Sequence, residues 1–143
     1  MLIVEDDPND VKLIQRAIKK AQISRHVNIV GDGAAAIDYL AGAPPYDDRG
    51  KYPLPVLMLL DLKLPKKNGF EVLEWVRAQP KLRRLPVVIL TSSSQADDIN
   101  RAYDVGASSY LVKPVGTAAL VVMLKVVESY WQITNTPPDF EAD

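Results

Sequence analysis

The chain has 143 residues, 48% of them hydrophobic and 24% charged, with a net charge of −1 and a pI near 5.8. That is length for one domain, apolar content for a full core, and no basic excess of the kind nucleic-acid binding draws on. There is no cysteine, which excludes disulfides and thiolate chemistry. The single histidine, His26 in the polar connector Ser24-Arg25-His26-Val27, leaves no material for a multi-histidine metal site.

Leu2-Ile3-Val4 is a short apolar run ended by Glu5-Asp6-Asp7-Pro8. Asn9 or Asp10 is placed to cap a helix carrying Val11, Ile14, Ala17, Ile18 and Ala21 at helical spacing, with Asp7 as a loop or helix-start residue. A second strand is expected over Val27–Val30, then the turn Gly31-Asp32-Gly33 and a helix over Ala34–Leu40. The stretch Ala41–Pro55, dense in Gly, Pro and Asp, reads as a surface excursion. Val56–Leu60 follows as a strand buried on both faces and ending on Asp61. After Pro65-Lys66-Lys67-Asn68-Gly69, a helix face is made by Phe70, Val72, Leu73 and Val76. Val87–Leu90 is the fourth strand, ending in Thr91-Ser92-Ser93-Ser94. Ile99, Ala102, Tyr103 and Val105 mark a helix that stops at Gly106, and Ser109–Val112 is the fifth strand, closed by Lys113-Pro114. Thr117 is placed to cap a last helix running to about Thr134. Residues 1–134 are expected to form the domain, and 135–143 a flexible acidic tail.

Strands alternating with helices require parallel pairing with right-handed crossovers, so the fold class expected is α/β. The architecture is a three-layer α/β/α sandwich with a five-stranded parallel sheet and five helices. In such a sheet all strand carboxyl ends point one way, toward the usual ligand edge. The first strand delivers Glu5 and Asp6, the third Asp61, the fourth Thr91 and the fifth Lys113. Three carboxylates in one pocket repel one another, and one lysine does not balance them; a hard divalent cation does. Three acids, a hydroxyl and a lysine around room for Mg²⁺ and a small anion suit phosphoryl transfer, which is mostly positioning and charge neutralisation.

Val4-Glu5-Asp6, Leu59-Leu60-Asp61 with Pro65 and Gly69 following, Leu90-Thr91, and Tyr110 with Lys113-Pro114 resemble the receiver domain of two-component response regulators. The resemblance implies a flavodoxin-like fold and a phosphoprotein switch rather than a turnover enzyme. Asp61 is then the acceptor of a phosphoryl group from the phosphohistidine of a sensor histidine kinase. Glu5, Asp6, Asp61 and the backbone carbonyl of Lys63 hold Mg²⁺, with Glu5 in place of the commoner aspartate. Lys113 contacts phosphoryl oxygens, Thr91 moves its hydroxyl toward them, and Tyr110 changes rotamer. Ser92 flanks the site. The long excursion, Leu64–Gly69 and the Tyr130–Pro137 segment further resemble stand-alone receivers that partner bacterial phytochromes, with no direct nucleic-acid role.

Two other functions are open at this point. A Mg²⁺-dependent phosphohydrolase with an aspartyl-phosphate intermediate commonly has a second aspartate two residues after the nucleophile, where this chain has Lys63. A non-phosphorylated scaffold on the same fold has no need of the complete acid, hydroxyl and lysine set. Glu5 precedes any apolar stretch long enough for a signal peptide, and no window approaches a membrane span, so no membrane association and a cytoplasmic location are expected. In the last helix Leu120, Leu124, Val127 and Trp131 form the stripe expected on the sheet, while Val121, Val122 and Val126 lie off it. A helix apolar nearly all round wants a second covered face, so a homodimer through this helix and the fifth strand is expected.

Overall fold

Five short apolar runs pair into one parallel sheet in the order β2-β1-β3-β4-β5, in a computed structural model that describes residues 1–23 and 26–138. The strands are β1 (Leu2–Val4), β2 (Asn28–Val30), β3 (Met58–Leu60), β4 (Val87–Thr91) and β5 (Ser109–Val112). The helices are α1 (Pro8–Lys20), α2 (Gly33–Ala41), α3 (Gly69–Ala78), α4 (Ala96–Val105) and α5 (Thr117–Glu128), continued by a π-helical turn, Ser129–Thr134. Side-chain alternation along the strands builds two cores. Ile3, Leu59, Val88 and Leu90 pack with Ile14 and Ala17 of α1 and Leu120, Leu124 and Val127 of α5. Leu2, Val4, Met58, Leu60, Val87 and Ile89 face α2, α3 and α4. The three-layer α/β/α sandwich is therefore present, with β1, β3 and β4 adjacent.

Several boundaries differ from the sequence expectation. Helix α1 is capped by Asp7, whose carboxylate accepts from the Asn9 and Asp10 N–H groups, and not by Asn9 or Asp10. The reason is Pro8: it occupies the first helical position, where its missing N–H costs nothing, so the cap falls on the residue just before it, Asp7. Helix α5 is preceded at its cap position by Gly116 and has no side-chain cap, so Thr117 does not cap it. Strand β3 starts at Met58 rather than Val56. Val56 is exposed, and the ladder begins where the Leu57 carbonyl accepts from the Leu2 N–H at 3.0 Å. Val121, placed off the buried stripe by spacing, packs against the α1/α5 core, whereas Val122 and Val126 are exposed as expected.

The excursion between α2 and β3 is tied down by aromatic and guanidinium contacts. Tyr39, Tyr46 and Tyr52 pack ring against ring at 5.1–5.8 Å. Arg49 donates to the carbonyls of Tyr39, Leu40 and Tyr52, satisfying the open C-terminal end of α2. Among the described residues no helix is long and apolar enough to cross a membrane. Ser24, Arg25 and residues 139–143 of the expected tail lie outside the described residues.

Candidate functional site

Register brings the site together. Val4 pairs with Leu60, so Glu5 and Asp61 are the next residues of adjacent strands, and the Asp61 N–H donates to the Val4 carbonyl at 3.2 Å. Thr91 pairs with Val112, and the Lys113 N–H donates to the Thr91 carbonyl at 2.7 Å. Behind Asp61 the chain turns sharply into α3. A Cβ on Gly69 would lie 2.3 Å from the Asp61 carbonyl oxygen, so only glycine lets the helix start this close to the strand end. The start is fixed by a capping box in which the Asn68 side chain accepts from the Glu71 N–H and the Glu71 carboxylate accepts from the Asn68 N–H.

Glu5, Asp6 and Asp61 each offer a carboxylate oxygen within 4.8 Å of the others. Glu5 and Asp61 are buried and Asp6 is exposed, so the cluster opens to solvent on one side. The Lys113 ammonium reaches in from β5, bonding Asp61 Oδ2 at 2.9 Å, Glu5 Oε1, and Asp10 Oδ2 at 2.8 Å. The other Asp61 oxygen, Oδ1, accepts from the Lys63 N–H at 3.2 Å; the Lys63 side chain is exposed. Burial pushes the Glu5 carboxyl up to about 7, with the Asp61 charge adding and the Lys113 bond opposing. Burial alone would pull the Lys113 ammonium down, but its bonds to Asp10, Glu5 and Asp61 outweigh that and hold it above its ordinary value.

Thr91 Oγ1 is fully buried and has no hydrogen-bond partner among the described residues. An unpaired buried hydroxyl is costly, and at the end of the strand beside Asp61 it is a donor with nothing to donate to. Together with the acid cluster, this orphan fits a divalent cation and an anionic group: the carboxylates supply hard oxygen ligands, the hydroxyl and ammonium supply donors. The Tyr110 hydroxyl donates to the Ser93 carbonyl at 2.8 Å. Ser93 Oγ in turn donates to Asp98 Oδ2 at 2.5 Å, tying β5 to the loop before α4. Ser92 is exposed.

Glu5, Asp6, Asp61 and Lys113 come together at one strand-end edge, and β4 ends at the same edge on Thr91. Asp10 was missed as a member. Spacing marks it only as a helix-start acid, and nothing local signals a bond to a residue 103 positions away.

The response regulator receiver domain family matches residues 1–125. Response regulator Rcp1 of Synechocystis sp. is 39% identical over 138 residues, covering 96% of this chain and 92% of that protein. A crystal structure of the phosphorylated cyanobacterial phytochrome response regulator RcpA aligns with a TM-score of 0.87 at 38% identity, covering 96% of both chains. The Mn²⁺-bound form of Rcp1 aligns with a TM-score of 0.84 at 39% identity over the same shares. With the strand order, the acid cluster and the family match in agreement, the chain belongs to the response regulator receiver domain family, the switch component of two-component signalling.

Proposed function

We propose that Asp61 accepts a phosphoryl group from the phosphohistidine of a sensor histidine kinase and that this charge switches the surface around α4, β5 and α5. The observation that carries the reading is a buried carboxylate bonded to Lys113 beside an unpaired, buried Thr91 hydroxyl. In the transfer an Asp61 carboxylate oxygen bonds to phosphorus and the phosphorus–nitrogen bond to the imidazole breaks, the nitrogen leaving with the electron pair. Glu5, Asp6 and Asp61, with the backbone carbonyl of Lys63, would hold Mg²⁺. When bound, the ion neutralises charge on the phosphoryl oxygens. Lys113 binds and orients those oxygens, Thr91 gains the acceptor it lacks, and Tyr110 exchanges its Ser93 bond for a new rotamer as the loop before α4 moves.

The receiver unit spans residues 1–134, with 135–143 as an acidic tail. The likeness to a phytochrome response regulator supports a phytochrome-type kinase as the donor. The reading extends to a cytoplasmic switch that turns over no external substrate, contacts no nucleic acid directly and self-associates through α5 and β5. Lys63, standing where a phosphohydrolase commonly has a second aspartate, weighs against turnover of phosphate esters. The test is incubation with acetyl phosphate and Mg²⁺ followed by intact mass. The wild-type chain gains one phosphoryl group and Asp61→Asn gains none; an unmodified wild type refutes the proposal.

A further inference from the structure

Lys113 carries three N–H donors on a flexible stem, so its position is set by its partners. Those partners are three carboxylates: Glu5, Asp61 and Asp10. Glu5 and Asp61 also belong to the group able to hold a cation, and Asp10 does not. A divalent ion drawn to Glu5 and Asp61 competes with the ammonium for their oxygens, which leaves Asp10 as the carboxylate that serves Lys113 alone. The place of Asp10 is set independently of the ion. It is half-buried in the first turn of α1, where Asp7 Oδ1 accepts from its N–H at 3.4 Å, and Ile14 and Ala17 anchor the same helix in the core. Beside the Asp10–Lys113 pair lies a cavity of about 30 Å³ with largely apolar walls from Leu13, Ile14, Leu90 and Leu120, room for about one water.

We propose that Asp10 is a positioning residue for phosphoryl capture, holding the Lys113 ammonium over Asp61 while a cation engages Glu5 and Asp61. The proposal rests on Asp61 being the acceptor. Helix α1 and the end of β5, far apart in sequence, are thereby joined at the reacting centre, and the ammonium is already in place when the phosphodonor arrives. Losing a charge-assisted hydrogen bond that orders a flexible cation slows capture rather than abolishing it.

The experiment measures the rate of phosphorylation by acetyl phosphate with Mg²⁺ for the full chain and for Asp10→Ala, Asp10→Asn, Lys113→Ala and the Asp10→Ala/Lys113→Ala pair. Asp10→Ala is expected to slow uptake by about tenfold, the order of one charge-assisted bond. Asp10→Asn, which keeps an acceptor without the charge, falls between it and wild type. In the Lys113→Ala background the Asp10→Ala change has no further effect, because Asp10 acts through the ammonium. Mn²⁺ affinity by calorimetry changes far less than the rate. A labelled wild type with an equally fast Asp10→Ala overturns this inference alone. So does a full Asp10→Ala penalty in the Lys113→Ala background, or a loss of Mn²⁺ affinity as large as the loss of rate. A wild type that takes no phosphoryl group overturns the acceptor reading and this inference together.

Discussion

At the scale of single residues, the site stores two unfavourable groups in the folded chain. Glu5 is harder to ionise folded than unfolded, its carboxyl raised from 4.5 to about 7 mainly by burial. A raised folded value means that the group's stabilising share is present below 4.5 and is lost as pH rises through about 7. In the presence of a chelator, wild-type stability should therefore fall across that window relative to Glu5→Gln, with a ceiling of about 3 kcal/mol. Parallel urea-midpoint profiles for the two proteins contradict this, and an added divalent cation, which favours the ionised acid, should flatten the wild-type profile. The second group is the Thr91 hydroxyl, buried without a partner among the described residues. Thr91→Val removes an unsatisfied donor at nearly constant volume, so unphosphorylated stability should rise or hold, by up to about 1 to 3 kcal/mol. The phosphorylated form, by contrast, should lose its Tyr110 response, read as tyrosine chemical shifts. Loss of stability in Thr91→Val would show that the hydroxyl has a partner after all. The acids and the hydroxyl were legible in the sequence because each ends a strand or follows one by one or two positions. Asp10 was not, because its role depends on where Lys113 arrives from the other end of the chain.

At the scale of elements, the loop from β3 to α3 is closely constrained where it meets the site. A Cβ on Gly69 would lie 2.6 Å from the Leu62 Cα as well as against the Asp61 carbonyl, and both are backbone atoms that cannot swing aside. Gly69→Ala should therefore cost about 1 to 3 kcal/mol in thermal or urea unfolding. It should also slow phosphoryl uptake by displacing Asp61; an unaltered midpoint would show that the helix start can relax. Helix and strand identities followed from periodicity, since apolar runs between turn residues pair well and the amphipathic stripes face them. The ends were less legible. Pro8 moved the α1 cap to Asp7, Gly116 left α5 without a side-chain cap, and Val56 lost its place in β3 because the ladder begins at Leu57. The two caps are decided within their own segments by Pro8 and Gly116, whereas the start of β3 depends on a hydrogen-bond partner in another segment. The excursion before β3 was legible only as irregular chain, because Arg49 and the three tyrosines meet in space and not in any local pattern.

At the scale of the molecule, the two apolar faces of the sheet are covered by α1 with α5 and by α2, α3 and α4, yet α5 still presents Val122 at 62% and Val126 at 63% exposure. Adjoining β5 is a sheet edge whose Val112 is exposed as well. A second copy covering this face is the proposed assembly, and Val122→Glu/Val126→Glu should convert a sedimenting dimer to a monomer without unfolding it. A wild type that sediments as a monomer, phosphorylated or not, contradicts the proposed assembly. For the acid closing β3 to take phosphorus, acids from separate strands must meet around a cation. The most direct measurement is chemical trapping: incubation with acetyl phosphate and Mg²⁺, borohydride reduction of the acyl phosphate, and peptide mass spectrometry. The account predicts homoserine at position 61 in the wild type and dependence of that product on the divalent ion. Reduction product at another carboxylate, or none at any, would contradict it.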